Sequence, residues 1–260
     1  MTLIDTKYFR EYREKLGFSN QNDIKTFLAA KDIIPSIDYS YIELLNGRLF
    51  DVISKIDSLL VVDIRIGDLS KFHEEKIAQI FSKLKINDII PRLNNQGRRP
   101  EEVYFSWMRG FLISSYFLKA LALIFEVNIG NIDLIGDDDF ANIETFKRTP
   151  KADLQIKLKT GEIIRIEVQS GFQGVNDIKQ HKVLEAKRIK REENISSLVV
   201  HFDLFNGQVA FVKTDEIDDE SVDWVTRQQM EGQTVFTIDQ NYFMWKLTEF
   251  PPKFADLLFT

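Results

Sequence analysis

Cysteine is absent from this chain of 260 residues, and histidine is scarce, with three copies. Without cysteine the chain can form neither a disulfide nor a thiolate metal site. That composition is typical of a reducing compartment and predicts a cytoplasmic location. The small number of histidines argues against a His-rich zinc site.

A long apolar run is absent as well. No stretch reaches the roughly 18 apolar residues that indicate a membrane-spanning helix. The first residues, MTLIDTKYFREYREK, lack the basic and apolar regions of a secretory signal. We therefore expect neither a signal peptide nor a membrane partner.

Positive charge is in deficit, with 34 Lys and Arg against 40 Asp and Glu and a formal net charge of −6. This balance provides no general attraction to nucleic acid, although it is compatible with a local basic surface. Basic residues do cluster, at positions 98–99 and 147–151 and between 179 and 191. With 44% apolar and 28% charged residues, the composition is that of a folded protein.

The pattern of apolar residues divides the chain into two predicted domains. Residues 1–95 carry apolar side chains at spacings of three and four and are predicted to be helical. Within them, DYSYIELLNGRLFDVISKI resembles a recognition helix and its successor, so DNA contact and a plain packing role are both open. A connector rich in turn formers, IPRLNNQGRRP, leads into the second predicted domain, residues 96–260.

The second domain is predicted to alternate helix and strand. A long apolar helix begins at Pro100, and the strand NIDLIG, a hairpin over 153–169, a charged helix over about 177–192 and the buried strand SSLVVHFDLF follow. Two further strands, QVAFVKT and TVFTI, flank a predicted helical piece, DWVTRQQM. The predicted fold class is therefore α/β (α+β), with a mixed central sheet flanked by helices.

The predicted hairpin, RTPKADLQIKLKTGEIIRIEVQSGF at 148–172, separates apolar and polar faces. Side chains alternate along a strand, so Asp153, Gln155 and Lys157 share one face, and Arg165, Glu167 and Gln169 share the corresponding face of the next strand. A turn at Thr160–Gly161 brings Asp153 across from Glu167, on a face that we expect to be exposed.

Two carboxylates and a backbone carbonyl are oxygen ligands of the kind that Mg²⁺ prefers. Asp153, Glu167 and the carbonyl of Val168 are therefore the candidate metal ligands. A metal held there can activate water and neutralise charge on a phosphate. The alternative is an ordinary solvated face, since charged outer faces are common on amphipathic hairpins.

Residues 100–205 resemble the PD-(D/E)xK nuclease superfamily, whose core has the same order of elements and carries its signature on this hairpin. Asp153, Glu167 and Gln169 match the acidic and final positions of the motif. The chain departs from it in two ways, because Pro150 lies three positions before Asp153 and Gln169 stands where Lys is usual. A minority of type II restriction endonucleases have Glu-x-Gln here.

The resemblance implies a Mg²⁺-dependent, sequence-specific endonuclease acting on double-stranded DNA. It also implies a homodimer and a cognate DNA methyltransferase in the same system. Alternatives are a non-catalytic DNA-binding protein on a nuclease-like core and a nuclease of repair or recombination. The candidate DNA-contacting residues are Arg148, Lys151, Gln155, Lys157, Lys179 and Lys182.

A further carboxylate often joins such sites, and Lys182 is a candidate to supply the cation that Gln169 does not. Glu101, Glu102 and Glu144 are possible additional acids by position. Glu101 and Glu102 equally suit the first turn of a helix, where the helix dipole favours negative charge.

Overall fold

A computed structural model describes residues 5–30, 33–93, 98–136, 152–172, 176–218, 220–228 and 232–259. Its α-helices are α1 Thr6–Leu16, α2 Gln21–Leu28, α3 Tyr39–Leu59, α4 Leu69–His73, α5 Gln79–Ile86, α6 Pro100–Tyr116, α7 Leu118–Ile124 and α8 Gln180–Glu193. Its strands are β1 Ile132–Leu134, β2 Leu154–Lys157, β3 Ile163–Gly171, β4 Asp177–Lys179, β5 Ser196–Asp203, β6 Gln208–Lys213, β7 Val225–Arg227, β8 Gln233–Thr237 and β9 Phe243–Lys246. Helices predominate before Pro100 and strands after it, as the sequence predicts.

A six-stranded mixed sheet, in the order β1-β2-β3-β5-β6-β9, forms the centre of the fold. β3 and β5 are parallel, and every other neighbouring pair in this sheet is antiparallel. A parallel pair needs a crossover connection, and α8 lies in the connection from β3 to β5. The predicted fold class, a mixed central sheet flanked by helices, is confirmed.

One face of this sheet packs against the helices that precede it. Ile164 and Ile166 of β3 and Leu198 of β5 join a cluster of buried residues that includes Trp107 and Phe111 of α6. Residues from both predicted domains meet in this cluster, and the proposed boundary near residue 95 stays a prediction.

The opposite face is covered by α8 and a three-stranded sheet in the order β4-β8-β7. Val199 of β5 packs there with Val183 of α8, Ile178 of β4 and Phe236 of β8. Because Glu167 is in register with Val199, the polar side chains of the hairpin belong to this covered face. The central sheet is therefore sandwiched, with α6 on one side and α8 on the other.

Two buried tyrosine hydroxyls of α6 form hydrogen bonds to side chains of α3. Tyr104 donates to Asn46 at 2.7 Å, and Tyr116 donates to Asp57 at 2.6 Å. Burial raises the pKa of the Tyr116 hydroxyl, and the neighbouring Asp57 carboxylate raises it further, so the hydroxyl keeps its proton. These bonds set α6 against α3 and thereby support the sheet face that rests on α6.

Tyr116→Phe should lower the free energy of unfolding by about 1–2 kcal/mol, because Asp57 loses a buried hydrogen-bond donor. Urea denaturation followed by circular dichroism measures this. Tyr41→Phe is the matched control, since Tyr41 lies on α3 and is 38% exposed. An equal loss in both variants would show that the Tyr116 hydroxyl has no special role.

Three local predictions are wrong. DWVTRQQM does not begin as a helix, because Val225–Arg227 pairs with β8 as a strand. The stretch compared with a recognition helix and its successor is one continuous helix, α3. The charged helix begins later than predicted, because residues 177–179 form β4. For β4 and β7, pairing with β8 overrides the helical pattern of the sequence.

Within the part of the chain that the structure describes, no single helix is long and apolar enough to cross a membrane. Helices α6 and α7 satisfy the length and composition criteria only as a pair, and this pair is bent by 42°.

Candidate functional site

The hairpin β2–β3 places Asp153 and Glu167 opposite each other. Leu154 and Ile166 are the last pair of the β2–β3 ladder, and Asp153 precedes Leu154 in a bend. Continuing the register by one position sets Asp153 across from Glu167. The turn contains Gly161 at φ 87°, as predicted for Thr160–Gly161, and the Leu158 N–H donates to the Glu162 carbonyl. Counting from that bond, a continued ladder would make position 153/167 a non-hydrogen-bonded pair, the type in which Cα atoms approach to about 4.5 Å.

Asp153 immediately precedes β2, and its backbone and carboxylate both form hydrogen bonds. Its carbonyl accepts hydrogen bonds from the N–H groups of Ile135 and Gly136 at 3.0 and 3.2 Å. A side chain at Gly136 would begin 3.3 Å from the Asp153 Cα, so glycine permits this close approach. These contacts fix the position of Asp153 beside the end of β1.

The Asp153 carboxylate also reaches β3. Its Oδ2 accepts a hydrogen bond of 2.7 Å from the N–H of Val168. Because the N–H and C=O of a strand residue point to the same edge, the Val168 carbonyl faces the Asp153 side of β3. The predicted ligand Asp153 therefore contacts the backbone of Val168, and the third predicted ligand, Glu167, directly precedes Val168 on β3.

The expectation that this polar face is exposed is wrong, because α8 covers it. Glu167 is half-buried and forms an ion pair with Lys182 of α8. Arg165, also half-buried, pairs with Glu193 near the end of α8 at 2.7 Å. Charged side chains of α8 thus form ion pairs with oppositely charged side chains of β3.

A pocket of about 390 Å³ lies between α8 and the sheet. Glu167, Lys182, Arg165, Glu185 and Arg188 contribute its charged lining. Hydrogen bonds from Arg188 lower the pKa of Glu185, so that carboxylate is ionised and already paired. Glu167 therefore lines a concave, charged pocket and does not lie on an open surface.

Gln169 follows two residues after Glu167 on the same face and is half-buried. Its register partner on β5 is His201, a residue for which the sequence pattern indicates no special role. His201 is 4% exposed, and burial lowers its pKa to about 4, although the Asp203 carboxylate partly opposes the shift. The structure thus adds a neutral imidazole beside the predicted site.

The donor set suits a hard cation that keeps several of its own waters. Among the described residues, no group of three or more His, Cys, Asp or Glu side chains is placed to hold a metal. Two carboxylates and one carbonyl are a small set, but Mg²⁺ commonly binds through one or two carboxylates plus waters and phosphate oxygens. Asp153, Glu167 and Val168 are the residues that would hold it.

The predicted DNA-contacting residues are dispersed around this site. Gln155 is half-buried on the same face as Asp153, and Lys157 is exposed at the end of β2. Lys179, the last residue of β4, is half-buried, and Lys182 forms an ion pair with Glu167. Arg148 and Lys151 lie outside the described residues.

Of the additional acids suggested by the sequence, two lie within the described residues, at the start of α6. Glu101 is 1% exposed and accepts hydrogen bonds from the Asp38 N–H and the Arg99 guanidinium. Those bonds tie the start of α6 to the start of α3 and favour a structural role. Glu102 is exposed, and Glu144 lies outside the described residues.

Comparisons of the chain with protein-family profiles, with curated proteins and with solved structures gave no match. The geometry described above is therefore the basis for assigning a function.

Lys182→Met should tighten metal binding about tenfold, because an ammonium in contact with Glu167 repels a divalent cation there. Isothermal titration calorimetry with Mn²⁺ measures the dissociation constant. Lys190→Met is the control on the same helix, since its ammonium bonds the Ser196 hydroxyl instead. Unchanged or weaker Mn²⁺ binding in Lys182→Met would show that the metal does not use Glu167.

Proposed function

We propose that this chain is a Mg²⁺-dependent endonuclease that hydrolyses phosphodiester bonds of double-stranded DNA at specific sequences. The observation that carries the proposal is the placement of Asp153 opposite Glu167 at one end of the hairpin. The Val168 carbonyl lies at the same edge, and a charged pocket opens beside Glu167. The sequence resemblance to PD-(D/E)xK nucleases supports the same chemistry.

Each residue of the proposed site has a separate role in hydrolysis. Asp153, Glu167 and the Val168 carbonyl would hold the cation, which when bound would lower the pKa of a water and offset charge on the phosphate. The Gln169 amide orients the attacking water by hydrogen bonding, since an amide cannot take up its proton. Lys182 offers a positive charge to phosphate oxygens near Glu167.

The site-specific restriction class is favoured by the Glu-x-Gln variant. Such an enzyme, when it cuts a palindrome, commonly acts as a two-fold dimer, so we propose a homodimer. A restriction system also requires protection of the host DNA, which places a cognate DNA methyltransferase in the same system. The cytoplasm is where both would meet DNA.

Incubation with supercoiled plasmid DNA tests the proposal. Discrete linear fragments in Mg²⁺ and intact plasmid in chelator are expected. Random nicks, or cleavage restricted to branched DNA, would favour a repair or recombination nuclease. Binding without cleavage under all metal conditions would favour a non-catalytic DNA-binding protein, and cleavage that persists in chelator would contradict the metal site.

DNA binding should weaken steeply as salt rises, because contacts between basic side chains and phosphates release counterions. With a net charge of −6, those contacts must be concentrated on one surface. Lys157→Glu and Lys179→Glu should each weaken binding. Each should also reduce the slope of log K against log[salt] by about the amount expected for the loss of one phosphate contact or more. Fluorescence anisotropy with a labelled duplex in Ca²⁺ measures both quantities.

Lys83→Glu, at an exposed position on α5, is the control for the change in net charge. It should shift affinity far less than the two variants near the site. Equal effects from all three reversals would show that the DNA does not lie along the hairpin and α8.

A further inference from the structure

His201 is a buried side chain whose ring nitrogens have no hydrogen-bond partner among the described residues. It lies in the middle of β5 and is 4% exposed. Within the described residues, neither Nδ1 nor Nε2 has a hydrogen-bond partner. The ring contacts Phe243 edge-on, with centroids 6.4 Å apart. Buried polar groups in folded proteins are usually satisfied, so an unsatisfied imidazole calls for an explanation.

The nearest polar side chain by register is Gln169. Parallel strands lie about 4.8 Å apart, and residues paired across them project on the same face. Gln169 and His201 are such a pair. As described above, Gln169 is half-buried, and within the described part of the chain no hydrogen bond to its amide is present. Two polar groups with unused hydrogen-bonding capacity therefore stand side by side next to Glu167.

The imidazole is suited to pairing with an amide. Burial keeps His201 neutral at physiological pH, with a pKa of about 4. A neutral imidazole has one donor nitrogen and one acceptor nitrogen, so it can accept a hydrogen bond from an amide NH₂. An apolar residue at this position could not do so.

The charges around the site favour one orientation of the amide. Lys182 stands against Glu167, two residues from Gln169, and the proposed cation binds at the same carboxylate. The negative end of the amide dipole, Oε1, is drawn toward these positive charges. The NH₂ group is then directed away from them, toward β5 and His201.

We propose that His201 is a positioning residue, which accepts a hydrogen bond from the Gln169 NH₂ and directs the Gln169 Oε1 toward the attacking water. This inference rests on the proposed nuclease function. It explains how a neutral amide can serve where a lysine is more usual, since the amide would otherwise be free to rotate between two opposite orientations.

A double-mutant cycle tests the proposal. His201→Phe should lower kcat by about tenfold or more with KM for DNA and the Mg²⁺ requirement unchanged. In the Gln169→Ala background the same change should have no further effect, because His201 acts through Gln169. Additive losses, or an unchanged kcat for His201→Phe, would overturn the proposal.

Controls separate positioning from stability. His73→Phe, in which the replaced ring packs against Phe50, should leave kcat unchanged. His201→Phe should melt no lower than the parent chain, since it exchanges an unsatisfied polar ring for an apolar one. If it fails to fold, His201→Asn and His201→Gln each retain an amide, and the proposal requires that at least one keep more activity than His201→Leu.

A second measurement does not depend on cleavage. In ¹⁵N-labelled protein, the side-chain NH₂ signals of Gln169 are identified by their loss in Gln169→Ala. Those signals should shift in the His201 variants and not in His73→Phe. A plasmid that stays uncut while the signals shift would contradict the proposed function alone. Cleavage with unmoved signals would contradict the pairing alone.

Discussion

Asp153→Asn should abolish Mg²⁺-dependent DNA cleavage, with a loss of about 10³-fold or more. The change removes one of two carboxylate charges from the proposed metal site. Asparagine still offers an oxygen to the Val168 N–H, which Asp153 now bonds at 2.7 Å. The free energy of unfolding should therefore change by no more than about 1 kcal/mol. Plasmid cleavage rates and thermal melts measure the two quantities.

Asp133→Asn is the matched control. Asp133 lies on β1, exposed, and its register partner on β2 is Gln155. Asp133→Asn removes one negative charge from the same sheet, as Asp153→Asn does, and should leave cleavage unchanged. Full activity in Asp153→Asn would refute the metal assignment, whereas equal losses in both variants would point to a general effect of charge.

Gln169→Ala should reduce the cleavage rate by about 10²-fold or more, the scale expected when a group that positions the nucleophile is lost. Its effect on stability should be no more than about 1 kcal/mol, because the side chain is half-buried and would lose the single proposed hydrogen bond to His201. Single-turnover cleavage of a duplex isolates the chemical step. A Gln169→Ala protein that cuts at the normal rate would leave the hairpin face an ordinary charged surface.

Gln169→Lys is the more informative companion to that variant. It restores the residue that is more usual in the motif, but it adds a positive charge beside Lys182 and the proposed cation. If His201 holds the amide, a lysine at position 169 finds no acidic partner on β5 at that position. We therefore expect Gln169→Lys to be less active than the parent chain, and an equal or higher rate would show that the site accepts a cation there.

The hairpin was predictable because its signal is local. Alternation along residues 153–169 and the glycine at 161 define faces, turn and register without reference to the remainder of the chain. Similar periodicities predicted the helix that begins at Pro100 and strands β1, β2, β3 and β5, but they predicted neither β4 nor the break between α6 and α7.

The packing of α8 against the polar face of the hairpin could not be predicted in the same way. A helix with Lys182, Arg188 and Glu193 on its surface has the composition of a solvated helix, and its pairing with Glu167 and Arg165 depends on where α8 docks. The register of Gln169 with His201 depends on the crossover through α8. Such contacts join residues distant in the sequence, so local periodicity carries no information about them.

The lengths of the outer strands limit how this protein can associate. The central sheet ends in β1 and β9, of three and four residues, and the smaller sheet ends in β4 and β7, of three residues each. The two longest strands, β3 and β5, are both interior, and β2 pairs with residues 163–166 of β3. Short edges offer few unpaired backbone groups to another chain, which guards against edge-to-edge aggregation. A homodimer of this protein would therefore be joined through side chains of helices and loops, and not by extension of either sheet.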